Sequence, residues 1–349
     1  MALREREQMG VDLREIVKPK KTTLEHLSGR TVAVDAYNAL YQFLSIIRGE
    51  TGEPLMDSTG NVTSHLSGLF YRNLNLLTLG IRPVYVLDGK PPEMKRVEIE
   101  RRKAARKEAV VMYEKALERG DIESAKKYAS ATSVMKDYMI GDTKKILTLL
   151  GIPYIEAPSE GEATAAELSQ KGIVTDVASQ DYDSILFGAK RLIRNLTISG
   201  RRRIPGRNAF VNVEPEEVEL HAVLSELHLS REELVDVAIL LGTDFNPDGF
   251  EKVGPKTALK YIKTYRRLEN IPQLREQLKQ IDFNAIREIF LHPEMSKVSE
   301  IKWNRPDIEG IVNFLCKQKD FSEERIRSAL QKLGKREENK SESLEKWFS

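Results

Sequence analysis

Acidic residues recur where short apolar runs give way to polar sequence, and this pattern constrains the fold more than any other feature of the chain. Runs rich in Val and Ile, such as TVAV and VYVL, predict buried strands. In an open parallel sheet, ligands bind in the crevice beyond the carboxyl ends of the strands, so acids at strand ends can meet there. The acids placed next to such apolar runs are Asp35, Asp88, Glu160, Glu162, Asp181, Asp183 and Asp244. Asp244 follows the apolar run VDVAILLGT, which is expected to be a strand as well.

Two of the acidic pairs are separated by a single residue. In a regular helix such residues point about 200° apart, whereas in extended chain they share a face. Asp181 and Asp183 therefore converge if the strand continues past Ser179. Glu160 and Glu162 open the helical pattern SEGEATAAEL and converge only where the chain enters that helix.

Clustered carboxylates repel one another unless cations neutralise them. Hard oxygen ligands without a nearby Cys or His pair favour Mg²⁺ or Mn²⁺. Two metal ions that share carboxylates and a phosphate oxygen are the usual use of such a site. An ordinary alternative exists for each acid alone, because an Asp at a strand end is more often a turn former or an N-cap. Ser159 with Glu162 also fits a capping box.

Composition excludes several classes of protein. The 349 residues would accommodate two domains, but the acidic pattern ties most of the chain into one. A single cysteine, Cys316, excludes an internal disulfide and suits a reducing compartment. No run approaches the roughly 18 apolar residues of a membrane span, and MALREREQMG lacks the apolar core of a signal peptide. We therefore expect an intracellular protein without membrane association.

Strand and helix patterns alternate along the chain. TVAVD and IRPVYVLD predict strands, and AYNALYQFLSIIR and HLSGLFYRNLNLLTLG predict helices. MGVDLREIV predicts a short amphipathic segment, and the charged, Ala-rich stretch from Glu93 to about Lys145 predicts exposed helix. The alternation indicates an α/β fold with a mostly parallel central sheet flanked by helices.

A run of basic residues begins seven positions after Asp88. Residues 95–107 contain seven Lys or Arg and two Glu, and a helix brings Lys95, Arg102 and Arg106 to one face. This stripe predicts a path for phosphates toward the metals, although a solvated helix is the usual meaning of a charge run. The three arginines at 201–203 are expected at a hairpin tip, where an ordinary solvated turn is the alternative.

Two further segments suggest partners. GFEKVGPKTALKYIKTY resembles the second half of a helix-hairpin-helix, with a turn at Gly254 and Pro255 before a helix. The N-terminal amides of that helix can hold a DNA phosphate without reading bases. The final stretch, GKREENKSESLEKWFS, is polar until its last residues and is expected to be flexible.

Taken together, several stretches resemble the structure-specific flap endonucleases, especially those of archaea. They run from about Gly10 to the end and read VAVDAYNALYQFL, TSHLSGLFYR, PVYVLDGKPPEMK, APSEGEATAAEL, ASQDYDSILFG, LLGTDF, VGPKTAL and FSEERIRSAL. The resemblance implies one nuclease domain over residues 1–333 with a PIN-like core. It further implies a helical arch at about 91–140, a helix-hairpin-helix-type element at about 236–265 and a flexible tail at 334–349.

The same resemblance implies an activity and partners. A protein of this kind cuts 5′ flaps in branched DNA by two-metal hydrolysis, has 5′-3′ exonuclease activity, and acts in DNA repair and in replication, where it processes Okazaki fragments. It would be a monomer on its own, cytoplasmic in a prokaryote such as an archaeon and nuclear in a eukaryote. The seven acids would hold two Mg²⁺ ions, with Mn²⁺ able to substitute, while Lys95 and Arg102 contact the scissile phosphate. DNA contacts are expected at Tyr41, Arg72, Arg106, Gly254 and Lys256, and a sliding clamp (PCNA) at Leu344, Trp347 and Phe348.

Three positions depart from the family pattern. The family begins at a glycine equivalent to Gly10, so either translation starts at Met9 or the contact of the processed amino terminus with DNA is lost. Lys252 replaces the first glycine of a Gly-x-Gly turn, so the resemblance does not extend to a monovalent cation site at this turn. Ser341 stands where the clamp-binding motif has Gln, so the glutamine pocket of the clamp would go unfilled.

Two other functional classes compete. An Asp-x-Asp metal-dependent phosphatase or nucleotidyl-sugar transferase would use Asp181 and Asp183, but it leaves the other acids and the hairpin unexplained. Tyr37, rather than Asp, also stands two places after Asp35. A non-catalytic binder of DNA structures gains nothing from placing seven carboxylates beside a polyanion. Hydrolysis of a labelled flap with Mg²⁺ and with EDTA separates the three classes.

Overall fold

The computed structural model describes residues 10–49, 52–203 and 210–333. The predicted clamp-binding residues in the tail lie outside this range. The strands are β1 (Lys20–Lys21), β2 (Thr31–Asp35), β3 (Arg82–Leu87), β4 (Tyr154–Glu156), β5 (Asp176–Ala178), β6 (Arg191–Arg194), β7 (Gly200–Arg203), β8 (Phe210–Val213) and β9 (Glu216–Glu219).

Helices surround these strands. The α-helices are α1 (Ala36–Ile46), α2 (Ser64–Thr78), α3 (Arg96–Glu118), α4 (Ile122–Ala129), α5 (Asp137–Leu149), α6 (Gly161–Gln170), α7 (Asp183–Leu186), α8 (Leu220–Leu227), α9 (Arg231–Leu241), α10 (Pro255–Tyr265), α11 (Arg275–Leu278), α12 (Phe283–Leu291), α13 (Ile308–Val312) and α14 (323–333). Short 3₁₀ turns cover Glu25–Leu27, Glu93–Lys95, Ser130–Thr132, Leu196–Ile198, Leu268–Asn270 and Pro272–Leu274, and a π-helical turn covers Asn313–Lys317.

A seven-stranded sheet of order β4-β3-β2-β5-β6-β9-β1 forms the centre of the fold. Neighbours from β4 to β6 pair in parallel, and β9 pairs antiparallel with both β6 and β1. The chain passes from β2 to β3 and β4 on one side and then crosses back to β5 and β6 on the other. The carboxyl end of β2 therefore lies at the topological switch point, where ligands bind in such sheets. The expected α/β fold with a mostly parallel sheet is confirmed.

Side chains of the buried strands alternate between two apolar cores. In β2, Val32 and Val34 face a core built with α1, α2, α5 and α14, whereas Ala33 faces a core built with α6, α7, α9, α10 and α12. Because both faces are covered at the centre of the sheet, β2 and β3 carry continuous buried apolar runs rather than residues of alternating polarity. No described helix is both long and apolar enough to cross a lipid bilayer.

The apolar run VDVAILLGT, which we expected to precede Asp244 as a strand, lies instead in helix α9. A capping box starts this helix: the Ser230 hydroxyl accepts from the Glu233 amide at 3.1 Å, and the Ser230 amide donates to the Glu233 carboxylate at 2.8 Å. The helix is buried around most of its circumference, so its run of apolar residues resembles that of a buried strand. Asp244 thus follows a helix, and the loop 242–254 leads on to α10.

The chain does not stay extended from Ser179 to Asp183, so the condition under which Asp181 and Asp183 would converge along a strand is not met. Strand β5 ends at Ala178, and α7 begins at Asp183. The Asp181 amide donates to the Ser179 hydroxyl at 3.2 Å, a local bond that favours a turn over continued strand. Asp181 and Asp183 therefore reach the site from a turn and from the first residue of a helix.

One other prediction needs correction. The arginines at 201–203 belong to strand β7 rather than to the tip of the hairpin.

The segment after Met9 is amphipathic, as expected, although it is irregular chain rather than a regular element. Its apolar residues Val11, Leu13, Ile16 and Val17 are buried in the core beside α6 and α9. The polar residues between them are exposed, namely Asp12, Arg14, Glu15 and Lys18.

Helices α3 and α4 pack against each other within the range predicted for the arch, and this pair with its flanking turns is called the arch below. Its buried seam consists of small side chains, namely Ala109, Ala116, Ala125 and Ala129. Helix α5 packs instead into the core beneath the sheet, through Ile146 and Leu147. The helical pair with its flanking 3₁₀ turns covers residues 93–132, within the predicted range of about 91–140.

Candidate active site

The parallel strands deliver four acidic positions to one edge of the sheet. Asp35 is the last residue of β2, and Asp88 follows β3 directly. Asp35 also caps α1, since its carboxylate accepts from the Asn38 amide at 3.0 Å. The ordinary N-cap role and the site role thus coincide in this residue. The turn after β5 places Asp181 and Asp183 beside it.

Glu160 and Glu162 lie where the chain enters α6, as the spacing predicts. Glu160 has an extended backbone and precedes the helix, whereas Glu162 lies in its first turn. No capping box forms, because the Ser159 hydroxyl donates to the Lys90 carbonyl at 3.3 Å instead. The Gly161 amide donates to Asp88 at 2.7 Å, and a Cβ at Gly161 would lie 2.6 Å from the same oxygen. This glycine lets the two chain segments approach.

Burial and mutual repulsion strongly perturb these acids. Burial raises the pKa of Asp35 to about 6. The pKa of Asp88 rises to about 7, mainly through burial, with the charges of Asp35 and Glu160 adding to the shift. Burial, and then the charge of Asp244, likewise raises the pKa of Asp183 to about 7. Glu162 and Asp181 have pKa values well above their ordinary range, again through burial first and the Asp183 charge second.

Two cations from the arch contact the cluster. The Lys95 ammonium lies 2.5 Å from Glu160 and 3.1 Å from Asp244. The Arg102 guanidinium lies 2.6 Å from Asp244 and 2.8 Å from Glu98. Burial would raise the pKa of Asp244, but Lys95 and Arg102 outweigh it and lower that pKa below its ordinary value. The first turns of the arch are thus docked against the acids.

The donor chemistry fits hard divalent cations. Seven carboxylates face two cationic side chains, and five of the acids have raised pKa values because burial first, and then their mutual repulsion, outweigh this positive charge. Bound cations would relieve that repulsion, and oxygen-only donors suit Mg²⁺ or Mn²⁺. Within the described ranges, no three Asp, Glu, His or Cys side chains already converge into a closed ligand set. Lys95 lies among the acids in this arrangement.

The beginning of the described chain also enters the site. The Val11 amide donates to Asp183 at 2.9 Å, and the Gly10 amide donates to Asp244 at 3.3 Å. Gly10 has a positive φ of 71°, and a Cβ there would lie 2.9 Å from an Asp183 oxygen. Glycine is therefore required at this position for two independent reasons.

The predicted DNA contacts are distributed unevenly. The Arg106 guanidinium lies over the Tyr41 ring at 4.9 Å, so the arch and α1 meet through this pair. Arg72 is not brought into the cluster, because its guanidinium donates to the Ser199 carbonyl at 2.8 Å.

Gly254 and Lys256 lie at the exposed start of α10. Lys252, which stands where the family pattern has glycine, has a φ of 64°, in the left-handed region that glycine favours.

Several residues that support the acids were not singled out from the sequence. The Ser179 hydroxyl lies 3.0 Å from Glu162 and 3.5 Å from Asp35, and the Ser184 hydroxyl donates to Glu162 at 3.2 Å. The Asn38 amide group donates to Asp181 at 2.9 Å. Each of these residues lies within three positions of a predicted acid, and this proximity was the available signal.

Comparisons with known proteins agree with this geometry. The XPG N-terminal domain matches residues 9–109, and the XPG I-region matches residues 151–244. The chain is 56% identical to Flap endonuclease 1 of Nitrosopumilus maritimus over 340 residues, which cover 97% of this chain and 100% of that protein.

Solved structures are similar over most of the chain. The flap endonuclease-1 of Methanococcus jannaschii is 37% identical, with a TM-score of 0.74 over 95% of this chain and 100% of that one. The catalytic core of Rad2 in complex with DNA substrate is 26% identical, with a TM-score of 0.67 over 90% of this chain and 96% of that one. The fold, the acid cluster and these similarities together show that the chain belongs to the flap endonuclease family of metal-dependent, structure-specific nucleases, which hydrolyse phosphodiester bonds in branched DNA.

Proposed function

We propose that the seven acids of the cluster hold two Mg²⁺ ions, with Mn²⁺ able to substitute, and that the site cuts the 5′ single-stranded flap at a duplex junction. The observation that carries this proposal is the gathering of seven carboxylates, four of them buried, at the switch point of the sheet with too few cations to balance them. Such ions supply an activated water and neutralise charge on the phosphate. The chain's own residues must then bind, orient and release the DNA.

Lys95 and Arg102 would act on the scissile phosphate. Both extend from the arch toward the acids, and each is held by two carboxylates, in contacts no longer than 3.1 Å. A phosphate that enters between arch and cluster would replace part of those contacts with its own oxygens. The two cations would thus be preorganised to stabilise the negative charge that builds up during hydrolysis.

The flap would pass beside the arch while duplex DNA lies on the helix-hairpin-helix-type element. Tyr41 and Arg106 form one side of this path, where an aromatic face suits a stacked, unpaired base. The same site would support 5′-3′ exonuclease activity on recessed ends. We further propose that the enzyme acts in DNA replication and repair in the cytoplasm of an archaeal cell.

A labelled flap substrate tests the activity. With Mg²⁺ or Mn²⁺ we expect cleavage at the junction, and with EDTA we expect none. A phosphatase or nucleotidyl-sugar transferase would instead turn over a phosphomonoester or a nucleotide sugar and leave the flap intact. A non-catalytic binder would shift the flap in a gel without cutting it under either condition.

A separate prediction concerns Lys256, at the start of α10. Lys256→Ala should weaken binding to all duplex-containing substrates by a similar factor, because phosphate contacts carry no sequence information. The slope of log affinity against log salt should fall by about one unit. Fluorescence anisotropy at several salt concentrations measures both effects.

Lys279→Ala provides the matched control for Lys256. Lys279 is another exposed lysine, and its ammonium pairs with Glu276 at 2.7 Å. We expect this control to leave both the affinity and the salt slope unchanged. An effect of Lys256→Ala on only one DNA sequence or one flap length would contradict backbone binding.

We also propose that the C-terminal tail binds a sliding clamp. Leu344, Trp347 and Phe348 would share one face if the tail forms a helical turn, which suits an apolar groove on another protein. A clamp that encircles duplex DNA would raise the local concentration of the nuclease at junctions by tethering. Ser341 in place of glutamine should make the affinity weaker than that of a full motif.

Deletion of residues 341–349 should remove clamp binding and clamp stimulation while flap cleavage by the enzyme alone stays unchanged. Ser341→Gln should tighten clamp binding by about 1 kcal/mol, the net value of a typical hydrogen bond. Calorimetric titration of the clamp with the full-length, truncated and Ser341→Gln proteins measures the three affinities. Undiminished binding by the truncated protein would place the contact elsewhere.

A further inference from the structure

Asn38 links helix α1 to the acid cluster. Its side chain is buried, with 4% exposure, and its Nδ2 donates to Asp181 Oδ2 at 2.9 Å. Its backbone amide donates to Asp35 at 3.0 Å, so the first turn of α1 contacts two of the acids.

The orientation of the Asn38 amide is determined by a chain of hydrogen bonds behind it. Gln42 Nε2 donates to Asn38 Oδ1 at 3.0 Å. The Thr197 hydroxyl, in the turn after β6, donates in turn to Gln42 Oε1. If both amides were reversed, Asn38 would present its oxygen to the Asp181 carboxylate, and two acceptors would face each other. The relay from Thr197 through Gln42 to Asn38 therefore favours the orientation that donates to Asp181.

Other groups hold the peptide unit that precedes Asp181. Arg194 Nε donates to the Gln180 carbonyl at 3.1 Å, and the Asp181 amide of the same peptide donates to the Ser179 hydroxyl at 3.2 Å. These bonds restrain the backbone at Asp181 but not its side chain, and the bond from Asn38 restrains rotation of the carboxylate.

We infer that Asn38 is a positioning residue that aims the Asp181 carboxylate at the cation site, with Gln42 and Thr197 keeping the Asn38 amide in its donating orientation. This inference rests on the proposed role of the acids as metal ligands. Groups that hydrogen-bond to a metal ligand typically change metal affinity by about 10- to 100-fold when they are removed. Asn38 would act through Asp181 and not by contact with DNA.

Binding of Mn²⁺ in the absence of DNA tests this role. The electron paramagnetic resonance signal of free Mn²⁺, measured as the full chain is titrated with the ion, gives the affinity of the chain for Mn²⁺. Asn38→Leu keeps the size and burial of the side chain but cannot donate, and we expect Mn²⁺ affinity to fall by about tenfold or more. Gln42→Leu leaves Asn38 in place but frees its amide to rotate, so we expect a smaller loss of Mn²⁺ affinity. This variant still tests the role of Asn38 if Asn38→Leu does not fold. In single turnover, Asn38→Leu should need more Mg²⁺ but approach the wild-type rate at saturation.

Asn73→Leu is the matched control. Asn73 is a buried asparagine of α2 that donates to the Leu69 carbonyl and to the Tyr85 hydroxyl, away from the acids. We expect its substitution to lower stability without changing Mn²⁺ affinity. Unchanged affinity in Asn38→Leu or Gln42→Leu, or an equal loss in Asn73→Leu, would overturn the positioning role. If Asp181→Asn binds Mn²⁺ as tightly as the wild type, the proposed ligand set is wrong instead.

Discussion

Asp88→Asn and Asp183→Asn should each lower the rate of flap cleavage by more than about a hundredfold at saturating Mg²⁺, because each removes a carboxylate from the proposed ligand set. DNA binding should stay unchanged or become tighter, since each substitution removes negative charge from a surface that faces phosphates. Single-turnover cleavage and anisotropy in Ca²⁺ separate the two effects. Asparagine is isosteric with aspartate, so the substitutions should disturb neither the packing of the buried Asp183 nor the bond that Asp88 accepts from the Gly161 amide.

Asp307→Asn provides the comparison for these variants. Asp307 caps α13 by accepting from the Gly310 amide at 2.9 Å and contacts none of the seven acids. Its substitution should leave cleavage within about a factor of two, as is usual for a change away from the site. More than a tenth of wild-type turnover in both Asp88→Asn and Asp183→Asn would contradict their assignment as metal ligands.

Joint replacement of Lys95 and Arg102 by alanine should reduce the single-turnover rate by about a thousandfold or more, since loss of one preorganised donor typically costs about 3 kcal/mol of transition-state stabilisation. The affinity for duplex DNA should change much less, because the two side chains face the acids rather than the outer surface of the arch. Rapid-quench measurements with enzyme in excess give the rate of the chemical step.

Arg101→Ala is the matched control for the arch. Arg101 neighbours Arg102 in α3, but its guanidinium pairs with Asp248 at 2.8 Å, on the exposed side. Its removal should have a small effect on the rate, because exposed ion pairs contribute little. If the double variant kept its rate and lost affinity, Lys95 and Arg102 would form a docking surface and would not act on the reacting phosphate.

Much of the candidate site was predictable because the acids follow apolar runs. The strand TVAVD ends at Asp35, and the helix that follows uses that same aspartate as its cap. The spacing of Glu160 and Glu162 allowed convergence only at the entry to a helix, which is where the structure has them. These predictions succeeded because strand ends, caps and helix entries depend on residues close together in the sequence.

Predictions that depended on distant neighbours were less successful. A run such as VDVAILLGT satisfies both a buried strand and a buried helix, and only packing against α10 and α12 and the cap at Ser230 decide between them. The residues after Met9 have an amphipathic pattern, yet the space beneath the sheet buries their apolar side chains as irregular chain. Hydrophobic periodicity indicates which residues will be buried, but it does not indicate which elements will pack against them.

The sequence alone determined the α/β class, the acids at the strand ends and the basic stripe of the arch, because hydrophobic periodicity and charge placement are local properties. The tertiary structure decided how these parts meet. It brought Lys95 to Glu160, 65 positions away, and the Gly10 amide to Asp244, 234 positions away. It also placed Thr197 and Gln42 behind Asn38, so that a neutral amide faces Asp181. Such contacts depend on strand order and helix packing, which arise only when the whole chain folds.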